Sequence, residues 1–155
     1  MLKKSRATAQ WHRVHDQQHP HYLLPKELIM TKEIIRSDKV TPPLAPLSPA
    51  VRSNGFVFVS GQPAFFDDRQ IAENDFDAQM HQVMANVKAL LEAAGSSLDK
   101  IVKANVILKN ASDFARMNEI YRGYFPDGNY PARTTIEASM GNPLFLLEIE
   151  CTAEA

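Results

Sequence analysis

Residues 144 to 153 read LFLLEIECTA, and every odd position in the run is apolar: Phe145, Leu147, Ile149, Cys151 and Ala153. Period two marks a strand with one face buried. A slip of one residue would turn that whole set to the other face, so the pattern also fixes the register. The even positions carry Glu148, Glu150 and Thr152, which do not belong in a core. A strand of this kind fits a sheet covered on one side only, and most other architectures are excluded by it.

Two segments can supply the cover. Phe76, Met80, Val83, Met84, Val87, Leu90, Leu91 and Ala94 fall on one helical stripe, which predicts a helix from Phe76 to Ala94. Asn74 or Asp75 can cap its start and Gly95 suits the position just past its end. A second helix is predicted from Asp113 to Tyr124, capped by Ser112, with Phe114, Met117, Tyr121 and Phe125 as its apolar face. Asn118 shares that face and must find hydrogen-bond partners there.

The remaining segments read as strand or loop. A first strand lies near Glu33–Arg36. Asn54-Gly55 is a turn signal before a strand from Phe56 to Val59, which Gly61 breaks. Another runs from Ile101 to Lys109 with Val102, Ala104, Val106 and Leu108 on one face, and a further one from Thr134 to Ala138. Four prolines make 41–50 a loop. Five or six strands with two helices on one face is an α+β subunit. Leu144 and Leu146, on the face of the glutamates, leave an apolar half-face that calls for a second copy of the chain. Glu148 would then lie near a cleft between subunits.

With 155 residues, one domain is expected, and it can bury a core without disulfides or metals. A net charge of −1 argues for no nucleic-acid partner, and no apolar run reaches a membrane span. The single Cys151 fits a cytoplasmic protein and a buried small hydrophobe. Residues 1–29 hold five of the basic side chains and four of the five histidines, with little apolar periodicity. They read as a disordered extension ahead of a domain at 30–155, with Met30 as a natural start. The histidine spacing matches no metal site. A transit peptide is a sharper alternative, but the stretch is short of serine and shows no clear amphipathic face.

Arg133 and Glu148 are the candidate functional pair, since charges flanked by apolar runs are either paired or at work. One reading is a structural ion pair. The other is an anion site with a carboxylate beside it for proton transfer.

Five stretches resemble, in register, the RidA/YjgF family of reactive-intermediate (enamine/imine) deaminases: FVFVSGQ, QVMANVKALLEAAGSSLDKIVKANVIL, DFARMNEIYRGYF, PAR and EIECTA. The resemblance covers roughly residues 31–155. It implies a chorismate-mutase-like α+β subunit, a homotrimer, sites in clefts between subunits, and no metal or cofactor. It implies hydrolysis of 2-imino or 2-enamino acids to 2-oxo acids and ammonia. Arg133 matches the arginine that binds the substrate carboxylate, and Glu148 the catalytic glutamate that positions water. Thr135 matches a position whose backbone holds the ligand. Gly61 and Asn118 match residues that line or support the pocket. The chain departs from the pattern at Ala50, where a pocket-covering tyrosine is usual, and at Gly141-Asn142, where Leu-Pro is usual. Binding of a small carboxylate metabolite without turnover, or a protein-interaction role of the trimer surface, are the alternatives.

Overall fold

The computed structural model describes residues 32–155, so the expected extension at 1–29 lies outside the described residues. Among the described residues, six strands and two α-helices build the domain: β1 (Glu33–Ile35), β2 (Ala50–Ser53), β3 (Phe56–Gln62), α1 (Phe76–Ala93), β4 (Ile101–Leu108), α2 (Phe114–Arg122), β5 (Ala132–Glu137) and β6 (Leu147–Glu154). The strands form one sheet in the order β1-β2-β3-β6-β4-β5. Among the described strands only β4 and β5 pair in parallel, across the α2 crossover; the other pairs are antiparallel. The fold class is α+β, as the pattern of elements required.

The alternation in β6 works as read. Leu147, Ile149, Cys151 and Ala153 are buried, whereas Glu148 and Thr152 are half-buried and Glu150 is exposed. On the helix side Met80, Val83, Met84, Val87, Leu90 and Leu91 of α1 are fully buried. Each such side chain contributes roughly 1.5–3 kcal/mol of burial. Asp75 caps α1 by accepting from the Ala78 N–H at 2.9 Å. At the other end Gly95, at φ +77°, lets Gly95 and Ser96 donate back to Glu92 and Leu91, which closes the helix.

Several local expectations need correction. Asn54 and Gly55 both take positive φ, forming a two-residue hairpin turn, and the strand it joins to β3 is β2. Pairing continues past Gly61, which sits inside β3 at a register shift between Val59 and Gln62. A bulge absorbs the glycine instead of ending the strand. A second shift, between Ile101 and Lys103, puts Ile101 in the core and Val102 outside, 41% exposed. Ser112 lies in a short 3₁₀ turn, and Asp113 occupies the N-cap of α2 without a side-chain bond. Phe114 is exposed, and Ile120 takes its place in the buried face of α2.

Leu144 and Leu146 precede β6 and are not on its outer face; Leu146 packs against the helix-side core. The open face of the sheet is apolar nonetheless. Phe56 and Phe58 of β3, Val102 of β4 and Ile136 of β5 are all exposed. The argument for a packing face therefore rests on these residues and not on the two leucines.

Candidate active site

Arg133 lies on β5, the edge of the sheet, level with Ala104 of β4. Ala104 is buried, so Arg133 projects to the helix side, toward α2. There its Nη2 donates to Asn118 Oδ1 at 2.6 Å, and its guanidinium carbon lies 4.8 Å from the Tyr121 ring centroid and 6.0 Å from that of Phe114. Asn118 thus has the partner its position demanded. No carboxylate pairs with Arg133 among the described residues. A half-buried cation held by an amide oxygen, the Met117 sulfur (3.5 Å from Nη1) and aromatic faces is fixed in place with no carboxylate partner among the described residues.

A cleft of about 420 Å³ opens beside it, lined by Asn118, Tyr121, Arg122, Tyr130, Pro131 and Arg133. Thr135, two residues along β5, shares the side of Arg133, and its hydroxyl is buried without a partner, as is that of Tyr121. Burial pushes the Tyr121 hydroxyl up to about 12, so it keeps its proton. Ala138 donates its N–H to Leu108 O at 3.0 Å. By strand alternation the backbone groups of Thr134 and Ile136 also face β4, and those of Arg133 and Thr135 face the free edge. Among the described residues, backbone donors without a strand partner therefore flank the guanidinium.

Glu148 belongs to the other side of the sheet. It pairs with Ile107 of β4, between the buried Leu147 and Ile149, and faces away from the helices. A Cβ built on Gly61 would come within 3.0 Å of Glu148 Oε2. The absence of a side chain at 61 thus makes the space in which the carboxylate sits. Burial raises the Glu148 carboxyl above its ordinary value. Glu150, next on that face, accepts from Asn105 Nδ2 at 2.6 Å and is tied to the rim.

The five candidate residues therefore fall into two groups. Arg133, Thr135 and Asn118 meet on the helix side of the edge strand; Gly61 and Glu148 meet on the open face. A single subunit does not join them, and an ion pair between Arg133 and Glu148 within one chain is ruled out by the pleat. Cys151 is on the buried face with its thiol pushed up to about 12, away from both groups. Ala50 is fully buried and paired with Val59, so residue 50 faces the helix-side core rather than either group.

Sequence reasoning missed two supports. Gln79 Nε2 donates to Ala72 O and Leu144 O, and its Oε1 accepts from Leu146 N, each at 2.9 Å. Asn86 Nδ2 donates to Pro63 O at 3.1 Å and Phe65 O at 3.2 Å. These buried amides of α1 hold the chain just before β6 and just after β3, the segments that carry Glu148 and Gly61. Their signal was there: two amides seven residues apart on the flank of an apolar stripe. Arg122 and Tyr130 of the cleft gave no comparable signal, since neither belongs to a periodic pattern.

Comparison with known proteins places the chain as a whole. The family model described as Endoribonuclease L-PSP matches residues 38–155. A RutC family protein of Pyrococcus abyssi is 41% identical over 125 residues, 80% of this chain and 98% of that protein. A crystal structure of a protein of unknown function of the conserved Rid family, YyfA from Yersinia pestis, aligns with a TM-score of 0.77 at 35% identity, covering 81% of this chain and all of the other. The structure of Escherichia coli TdcF with bound serine aligns at 0.74 and 30% identity, covering 79% of this chain and 98% of that one.

Proposed function

The chain belongs to the Endoribonuclease L-PSP family, the RidA/YjgF family, and on that footing we propose that it hydrolyses reactive 2-imino and 2-enamino acids to 2-oxo acids and ammonia. The observation that carries the reading is Arg133: a fixed guanidinium with no carboxylate partner, beside free backbone donors, at a cleft of metabolite size. A planar fork of this kind fits a carboxylate bidentately. TdcF holds serine, a small amino acid with that same carboxylate.

Hydrolysis of a 2-imino acid consumes one water. The water oxygen bonds to the C=N carbon, the nitrogen gains protons, and the C–N bond breaks to release ammonia and leave a C=O. Arg133 anchors the carboxylate and Thr135 offers edge-strand donors beside it. Glu148, with its raised carboxyl, takes a proton from the attacking water and returns one to the departing nitrogen. No cofactor enters this scheme.

Because the two groups of residues lie on opposite faces, this chemistry calls for Arg133 of one subunit and Glu148 of another. A homotrimer packed through the open face, with Phe58, Val102 and Ile136 covered, meets that need. The family model's description names an endoribonuclease, but a net charge of −1 and a cleft of about 420 Å³ favour a metabolite over a polynucleotide.

The test is 2-oxo acid formation from the enamine that a serine or threonine dehydratase releases. Added protein should speed it. Arg133→Ala should remove the effect by abolishing carboxylate binding, while Glu148→Gln should still bind a 2-oxo acid and turn over about a hundredfold or more slowly. Binding without any acceleration by the unaltered protein would leave the metabolite-binding alternative and end the enzymatic one.

A further inference from the structure

The cleft at Arg133 holds a second guanidinium. Arg122, in the last turn of α2, lines it together with Arg133, and among the described residues no acidic side chain lines it. Neither arginine pairs with a carboxylate among the described residues. This is not the general state of arginines on the helix: Arg116 of α2 is gripped by Asp77 of α1 and by Glu119. Two like charges facing one small cleft repel each other, and a bound anion relieves that repulsion. A monocarboxylate on Arg133 answers one of the two. A ligand with a second carboxylate answers both.

We propose that Arg122 is a second anion-binding group of this cleft, and that its preferred ligands are short 2-imino and 2-oxo dicarboxylic acids. Arg133 takes the carboxylate beside the reacting carbon. Arg122 takes the one at the end of the side chain. The proposed turnover of such a ligand rests on the deaminase reading and is the same hydrolysis, in which the second carboxylate makes and breaks no bond. Preference in binding does not depend on that reading. The substrate would come from oxidation of an acidic amino acid at its α-carbon, the chemistry that yields a 2-imino dicarboxylate.

Calorimetric titration with 2-oxoglutarate and with 2-oxopentanoate, which differ by the terminal carboxylate, tests the assignment. The protein should bind 2-oxoglutarate about tenfold more tightly, the scale of one charge-assisted contact. Arg122→Gln should bring the ratio of the two affinities close to one. Lys88→Gln, which removes the same charge from the exposed side of α1, should keep the ratio. Equal binding of the two acids, no binding of 2-oxoglutarate, or an undiminished ratio in Arg122→Gln would each overturn the proposal. The dehydratase assay reports separately: no acceleration there ends the deaminase reading while the titration still decides the role of Arg122.

Discussion

At the scale of single residues, the proposed chemistry turns on one carboxyl placed beside one missing side chain. Glu148 is desolvated in the space that Gly61 leaves, so the folded chain holds its proton to higher pH than the unfolded chain does. The native state then binds more protons, and this group's contribution to stability falls as pH rises from the ordinary glutamate value, about 4.3, through the raised folded value. The proposed base must be ionised, so kcat/KM should fall on the acid side with an apparent pKa above about 4.3. A rate profile between pH 4 and 8 checks it, and an acid limb at or below the free-glutamate value would count against Glu148. Denaturant titration of Glu148→Gln over the same range should show a flatter pH dependence of stability. Arg133 and Glu148 stood out as candidates because charge inside apolar runs is rare, whereas Thr135 and Gly61 entered only through the family resemblance. Their division between two faces was only half legible. The period in β6 placed Glu148, but nothing in PARTTIE says which way Arg133 points, because both sets of positions in that edge strand are mixed.

At the scale of elements, α1 does more than cover the sheet. Its Gln79 satisfies two carbonyls and one N–H of neighbouring loops from a fully buried position. Gln79→Ala strands those groups, and each buried unsatisfied group costs about 1–3 kcal/mol. Urea unfolding should therefore show a loss of about 2–4 kcal/mol, more than the removal of a solvent-facing amide allows. The helix α1 was readable almost to the residue because its stripe is long and capped, whereas α2, short and without a side-chain cap, ends two residues before the expected Tyr124. The strand boundaries were not. The bulge at Ile101–Lys103 exchanges Val102 for Ile101 in the core, and the bulge around Gly61 lets a glycine continue a strand. Bulges add a residue to one strand without changing composition, so a period-two pattern cannot reveal them.

At the scale of the molecule, the open face decides whether the proposed site exists at all. Phe58, 47% exposed between β2 and β6, is a natural centre for subunit packing. Phe58→Glu should lower the mass seen by light scattering to that of one chain, leave the far-ultraviolet circular dichroism unchanged, and abolish turnover. A mass unchanged by the substitution would move the interface elsewhere. The sequence pattern calls for such a face but assigns it to Leu144 and Leu146, because its alternation runs three residues ahead of the start of β6 at Leu147. The order of the sheet has one more consequence, for how the chain reaches this state. Before β6 arrives, the chain can form only two separate pieces, a β1-β2-β3 meander and a parallel β4–β5 pair. The last strand in the sequence fills the middle slot and is the keystone of both. Folding must therefore wait for contacts between distant parts of the chain, which places it among slower folders, on the millisecond-to-second scale. The capture that closes the sheet also seats Glu148 beside Gly61, so the carboxylate proposed for the chemistry reaches its place only when the sheet is closed.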